Sequence, residues 1–156
     1  MVNDVLKIYN LVNYFVIIIG VKFSLFDFEV TESNMNAEKL LEQHIAKTKE
    51  YQATASLDDF GKGGSDIFRL LNYDFSLAKL DKSVVWNYFD QKSTVMTDII
   101  SMFKHEKLKI VAEGVEDKTM ADALSNLGCD YLQGYYFAKP LPAEDFWDFV
   151  TKFNNF

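Results

Sequence analysis

Apolar residues repeat along the chain with two spacings, one typical of strands and the other typical of helices. Five short segments rich in Phe, Val, Ile and Leu are predicted to be strands, at 22–30, 54–57, 75–80, 108–114 and 129–136. Apolar positions three and four residues apart predict helices at about 2–19, 37–50, 65–72, 82–105, 117–127 and 143–153. After the first helix, strands and helices therefore alternate to the end of the chain.

This alternation predicts an α/β fold with a parallel sheet, because parallel strands need crossover helices between them. The predicted strands also carry polar residues at their carboxyl ends: Glu29, Asp58 with Asp59, Lys79 with Asp81, Glu113 and Gln133. Parallel strands bring their carboxyl ends to one edge, which is where (β/α) barrels place their chemistry. We predict a single domain with a site at that edge.

The two adjacent aspartates, Asp58 and Asp59, need a local explanation. Neighbouring residues on a strand point to opposite faces, so both carboxylates can reach one target only where the strand ends and the backbone turns. Glycines at 61, 63 and 64 favour such a turn. We therefore predict that this strand ends at Leu57.

Acidic side chains gathered at one edge would repel one another unless cations neutralise them. The candidate ligands Glu29, Asp58, Asp59 and Glu113 are all carboxylates, which indicates Mg²⁺ or Mn²⁺. Lys79 adds a positive charge that suits a phosphate oxygen or an attacking water. The alternative for each acidic residue taken singly is a helix cap or a solvated loop charge.

Composition narrows the partners and the setting. The chain has 156 residues, about half of them apolar, and a net charge of −7, which disfavours binding to a nucleic-acid polymer. A single cysteine, Cys129, cannot form an internal disulfide, so we expect a cytoplasmic setting. The longest apolar run, Tyr14–Val21, is too short to span a bilayer.

Five segments occur in the order and register of one known family. They are FEVTES (28–33), LDDFGKG (57–63), AKLDKSVV (78–85), VAEGVED (111–117) and LGCDYLQGYYFAKPLP (127–142). From about residue 20 onward the chain resembles the EAL domain family of bacterial cyclic-di-GMP phosphodiesterases. The resemblance implies a modified (β/α)8 barrel that uses Mg²⁺ or Mn²⁺ to hydrolyse cyclic-di-GMP to pGpG.

The resemblance also implies a role for each matching residue. Metal-ligand roles fall on Glu29, Asp58, Asp59 and Glu113. Lys79 would lie beside the attacking water, and Glu32 would brace the loop that follows Asp59. Supporting or substrate-binding roles fall on Asp81, Glu116, Gln133 and Glu144.

The chain also departs from the family pattern. The E-A-L motif, whose glutamate is a metal ligand, precedes all of these segments in the family and does not occur in this chain, and neither does the metal-binding asparagine of the next strand. The family loop G-T-G-Y-S-S is replaced by GKGGSD, with Lys62 at the threonine position and Gly64 at the tyrosine position.

We therefore expect residues 1–156 to form a single N-terminally truncated EAL domain that comprises the C-terminal five βα units of a TIM-like barrel. Such an arc leaves the edge of the first strand unpaired, so we expect a homodimer or a partner that supplies the missing barrel half. We predict weak or no hydrolysis by the isolated chain. The alternatives are a non-catalytic nucleotide-binding or protein-interaction module and a structural remnant.

Overall fold

A computed structural model describes residues 22–30, 38–62, 66–91 and 93–153 of the chain. Its strands are β1 (Asp27–Val30), β2 (Thr54–Phe60), β3 (Leu77–Leu80), β4 (Lys109–Ala112) and β5 (Tyr131–Leu132). Its helices are α1 (Glu38–Glu50), α2 (Asp66–Asn72), α3 (Lys82–Gln91), α4 (Val95–His105), α5 (Lys118–Leu127) and α6 (Ala143–Phe153). The helix predicted at 2–19 and the candidate residue Glu32 lie outside the described residues.

The five strands form one sheet in the order β1-β2-β3-β4-β5, and every neighbouring pair is parallel. The prediction of an α/β fold with alternating parallel strands and helices is therefore confirmed. Since all strands run in one direction, their carboxyl ends share one edge of the sheet. Among the described residues, β1 pairs only with β2 and β5 pairs only with β4, so the sheet has two open edges.

The two faces of the sheet differ in chemistry. One face carries the buried residues Ala55, Leu57, Ala78, Leu80, Ile110 and Ala112, which pack against the helices in a single core. In that core the ring of Phe103 on α4 meets Phe60 edge to face at 4.8 Å. Because strand residues alternate between faces, the intervening residues, which include Ser56, Lys79 and Lys109, lie on the opposite face and make it largely polar. No helix of the described part of the chain is long and apolar enough to cross a membrane.

The first strand is shorter than predicted. Residues Phe23–Leu25 form a 3-10 turn, closed by a hydrogen bond from the Phe26 N–H to the Phe23 carbonyl, and the strand begins at Asp27. The buried ring of Phe23 stacks on Tyr51 with the ring centres 4.8 Å apart. Phe23, one of the apolar residues on which the strand prediction rests, therefore packs in a small separate hydrophobic cluster beside the sheet.

The single helix predicted at 82–105 is also wrong, since the chain forms two helices there, α3 and α4. Polar side chains mark the break between them. The Ser93 hydroxyl accepts a hydrogen bond from the Val95 N–H at 3.3 Å, and the Thr97 hydroxyl donates to the Thr94 carbonyl at 2.5 Å. Serine and threonine side chains that bond the local backbone favour a helix start over a helix interior.

Candidate functional site

A β-bulge brings Asp58 and Asp59 to the same edge of the sheet. In the pairing of β2 with β3, Leu57 lies opposite Ala78 and Phe60 lies opposite Leu80, so two aspartates face the single residue Lys79. Asp59 takes a left-handed backbone conformation, with φ 58°. The prediction that this strand ends at Leu57 is therefore wrong: β2 continues to Phe60, and the bulge rather than a strand end gathers the carboxylates.

Lys79 lies at the centre of the carboxylates. Its Nζ atom is 2.8 Å from Glu29 Oε1, 2.8 Å from Asp58 Oδ1 and 2.8 Å from Glu113 Oε1. An ammonium group has three N–H donors, so these contacts use all of them. Burial alone would lower the pKa of Lys79, but hydrogen bonds to the three carboxylates outweigh it and raise the pKa above the ordinary 10.5. Lys79 is therefore a fixed positive charge at neutral pH.

Three of the predicted metal ligands lie close enough to share one ion. Asp58, Asp59 and Glu113 each offer a carboxylate oxygen, and these oxygens all lie within 4.8 Å of one another. The three side chains are half-buried, and the donor set is all oxygen, which fits Mg²⁺ or Mn²⁺. Glu29 is not a member of this close group. Its side chain is 51% exposed and, like those of Asp58 and Glu113, contacts Lys79.

The loop after β4 holds Glu113 in place. The Glu113 N–H donates to the Leu80 carbonyl at 3.1 Å, and the Trp86 indole N–H donates to the Gly114 carbonyl at 2.8 Å. Gly114 has φ 71°, and an added Cβ there would lie 2.5 Å from Lys82 Cβ. The turn that directs Glu113 toward Lys79 therefore depends on glycine at position 114.

Asp81 is buried, and its carboxylate is hydrogen-bonded to the backbone at the start of α3. Its Oδ1 atom accepts a hydrogen bond from the Ser83 N–H at 2.8 Å, so it caps the start of α3. Burial alone would raise the pKa of Asp81, but the hydrogen bonds from Ser83 and the charges of Lys62 and Lys82 outweigh it and hold the pKa below its ordinary value.

The other predicted supporting residues are spread around the rim. Gln133 is hydrogen-bonded through its backbone to Ala112 and Val115, which fixes the end of β5 beside the loop that carries Glu113. Glu116 is exposed between β4 and α5, and Glu144 is exposed in the first turn of α6. Neither Glu116 nor Glu144 belongs to the close carboxylate group.

A groove of about 330 Å³ lies on the polar face of the sheet and crosses the strands. Its lining includes Asp27, Glu29, Lys79, Tyr131 and Gln133. Asp27 was not singled out from the sequence, yet its carboxylate accepts hydrogen bonds from the hydroxyls of Thr54 at 2.6 Å and Ser56 at 2.5 Å. Its position two residues before Glu29 on a strand is the signal that places both on one face.

The sequence indicates no site role for Lys62, yet its Nζ atom lies 3.2 Å from Asp59 Oδ2. The spacing of three residues across a glycine-containing turn is the sequence signal for this contact.

The sequence is similar to those of known proteins. The sequence profile of the EAL domain matches residues 17–140. The signaling protein YkoW of Bacillus subtilis is 35% identical over 134 residues, which cover 82% of this chain and 16% of YkoW. The cyclic di-GMP phosphodiesterase RocR of Pseudomonas aeruginosa is 31% identical over 127 residues, which cover 80% of this chain and 32% of RocR.

The fold also matches a solved structure, that of PaMucR phosphodiesterase in complex with c-di-GMP. The TM-score is 0.75 at 28% identity, and the match covers 86% of this chain and 56% of the other. The five parallel strands with their helices therefore correspond to part of an EAL TIM barrel. The chain spans between about a sixth and a third of the two curated relatives and about half of the solved structure.

Proposed function

The chain belongs to the EAL domain family, and from this premise we propose that it binds a divalent metal ion and cyclic-di-GMP at the carboxyl edge of its sheet. The observation that carries the proposal is the convergence of Asp58, Asp59 and Glu113, whose oxygens lie within 4.8 Å of one another. RocR and PaMucR are both named phosphodiesterases, and the PaMucR structure is a c-di-GMP complex. The similarity of this chain to RocR and PaMucR supports cyclic-di-GMP as the proposed ligand.

Asp58, Asp59 and Glu113 would hold Mg²⁺ or Mn²⁺, with Glu29 as a further ligand from β1. When bound at such a site, a divalent ion polarises a phosphodiester and lowers the pKa of a bound water. The bulge supports this role, because it presents two carboxylates from consecutive positions of one strand. The half-burial of the three ligands also favours ion binding, since partly desolvated carboxylates gain more from a neutralising charge than exposed ones do.

Lys79 would position these carboxylates and carry a fixed charge next to the reacting phosphate. Its raised pKa makes it a poor proton acceptor at neutral pH, so we do not assign it the role of general base. Its contacts with Glu29, Asp58 and Glu113 come from three different strands or strand ends. One side chain therefore ties β1, β2 and β4 together at the site.

We propose that hydrolysis by this chain alone is weak or absent. The family's E-A-L glutamate and its metal-binding asparagine do not occur in these 156 residues. In the described part of the chain, β1 has a free edge and the polar groove is uncovered. A second copy, or three further βα units that complete the barrel, would pair with β1 and cover the groove.

The test uses the full chain, with calorimetry for Mn²⁺ and for cyclic-di-GMP and chromatography for pGpG. We expect Mn²⁺ binding that Asp59→Asn weakens by at least about tenfold, on the scale of losing one charged ligand. Asp122→Asn is the matched control, because Asp122 is an exposed aspartate on α5 that pairs with Lys118 and lies outside the close carboxylate group. Unchanged Mn²⁺ affinity in Asp59→Asn would refute the proposed site.

A second candidate function is binding of cyclic-di-GMP without hydrolysis, as a regulatory module. The same two absent ligands favour it, because catalysis demands accurate placement of both ions whereas binding does not. Binding of the dinucleotide with no pGpG formed would support this function. Rapid pGpG formation by the wild type, abolished by Asp59→Asn, would instead show an active phosphodiesterase. Failure to bind either metal or dinucleotide would exclude both.

A further inference from the structure

The turn after β2 places a lysine directly on one of the candidate metal ligands. Lys62 Nζ lies 3.2 Å from Asp59 Oδ2, and the Lys62 N–H donates to the Asp59 carbonyl at 3.1 Å. The second bond closes the turn, which also uses the left-handed conformations of Asp59 (φ 58°) and Gly61 (φ 97°). The ammonium contact is therefore built into the local backbone geometry.

Lys62 contacts the one candidate metal ligand that Lys79 does not contact. Lys79 contacts Glu29, Asp58 and Glu113, and Lys62 contacts the remaining member, Asp59. The hydrogen bond to Asp59 and the attraction of that carboxylate raise the pKa of Lys62, with smaller contributions from Asp81 and Asp58. Lys62 is fully charged at neutral pH, and its field reaches the same carboxylates that would hold an ion.

We propose that Lys62 is an internal counter-ion for Asp59 that competes with the divalent metal ion and so sets the metal affinity of the site. This inference rests on the proposed function. A metal ion that takes Asp59 as a ligand must displace the ammonium or accept repulsion from it, and either costs affinity. The Lys62 side chain is 62% exposed, so the contact is screened and reversible. Lys62 therefore weakens metal binding without preventing it.

The contrast with Lys79 explains why Lys62 has this separate role. Lys79 is almost buried and has three partners, so it is a permanent part of the site. Among the residues that the structure describes, the Lys62 side chain contacts Asp59 and is 62% exposed, so it can move away when an ion binds. A residue without charge at position 62 would leave Asp59 free for metal at no cost to the fold of the sheet.

The experiment compares Mn²⁺ dissociation constants of the full chain by calorimetry at one ionic strength, for the wild type, Lys62→Met and Lys62→Arg. We expect Lys62→Met to bind Mn²⁺ about fivefold more tightly, on the scale of an exposed ion pair, and Lys62→Arg to bind like the wild type because it keeps the charge. Raising the salt concentration should bring the Mn²⁺ dissociation constants of Lys62→Met and the wild type closer together.

Lys47→Met is the matched control. Lys47 Nζ lies 3.2 Å from Glu50 Oε2, with the same spacing of three residues, but in the last turn of α1, just before β2 begins and away from the carboxyl ends of the strands. Its affinity for Mn²⁺ should equal that of the wild type. Circular dichroism of each variant checks that the fold is retained.

Each outcome decides between the two proposals. A Lys62→Met affinity within about twofold of a wild type that binds Mn²⁺ overturns the counter-ion role while the metal site stands. A larger gain in Lys62→Arg than in Lys62→Met overturns it as well. If Lys62→Met binds Mn²⁺ and the wild type does not, the counter-ion role is supported. If no variant binds Mn²⁺, the proposed metal site is refuted, and this inference with it.

Discussion

Lys79→Met removes the positive charge shared by three carboxylates while keeping an unbranched side chain of similar length. The Lys79 side chain is 9% exposed, and those of Asp58 and Glu113 are 14% and 16% exposed, so two carboxylates would remain nearly buried without their cation. Breaking a buried ion pair costs about 3–5 kcal/mol. The third partner, Glu29, is 51% exposed, so solvent reaches the cluster, and we expect a smaller loss of about 2–3 kcal/mol.

The assay is urea unfolding of the full chain at pH 7. A loss of this size lowers the urea midpoint by about 1–2 M, given ordinary slopes for a small domain. Added Mn²⁺ should stabilise Lys79→Met more than it stabilises the wild type, because the ion replaces the missing charge at Asp58 and Glu113. Lys109→Met is the control, since Lys109 lies on the neighbouring strand with a side chain that is 61% exposed and pairs with Asp130. It should change the midpoint little.

The difference in stability between Lys79→Met and the wild type should depend on pH in one direction. The folded-state pKa of Lys79 is raised above 10.5, so its stabilising contribution is complete below that pH and is lost as the pH rises above it. The deficit of Lys79→Met should therefore be constant between about pH 7 and pH 10 and shrink at higher pH. A midpoint for Lys79→Met equal to that of the wild type at pH 7, or a drop as large in Lys109→Met, would refute the reasoning.

Three further substitutions test the local geometry of the site by urea unfolding. Asp59→Ala should be about 1 kcal/mol less stable than Asp59→Asn, because asparagine tolerates a φ of 58° and alanine does not; equal midpoints would contradict this. Gly114→Ala should cost about 1–3 kcal/mol, because of its φ of 71° and the close Lys82 Cβ, and should shift the Trp86 fluorescence; an unchanged spectrum and midpoint would count against it. Asp81→Ala should cost about 1–2 kcal/mol at pH 7 through loss of the cap on Ser83. Because the pKa of Asp81 is held below 3.8, that deficit should persist above pH 3.8 and shrink as the pH falls below it, and an equal deficit at about pH 3 and pH 7 would refute this assignment.

The strands and most helices could be predicted from the sequence because their signals are local. The apolar segments of β2, β3 and β4 are continuous, and the intervening helices have regular apolar spacing. The break between α3 and α4 was missed, because apolar residues lie on both sides of it. The hydrogen bonds that mark it are donated by the Val95 N–H to the Ser93 hydroxyl and by the Thr97 hydroxyl to the Thr94 carbonyl. The turn at Phe23 was missed because its partner, Tyr51, is distant in the sequence.

The sequence by itself determined which residues could carry the chemistry and that they lie toward the carboxyl ends of the strands, because residue type and period are properties of the chain alone. Only the tertiary structure decided how they meet. The bulge at Asp58 and Asp59 exists only when β2 pairs with β3, and the three contacts of Lys79 on β3 need β1 and β2 on one side of that strand and β4 on the other. The three carboxylates that Lys79 contacts span 84 positions of the chain, from Glu29 to Glu113, and no local pattern encodes the strand register or the ion-pair distances that bring them together.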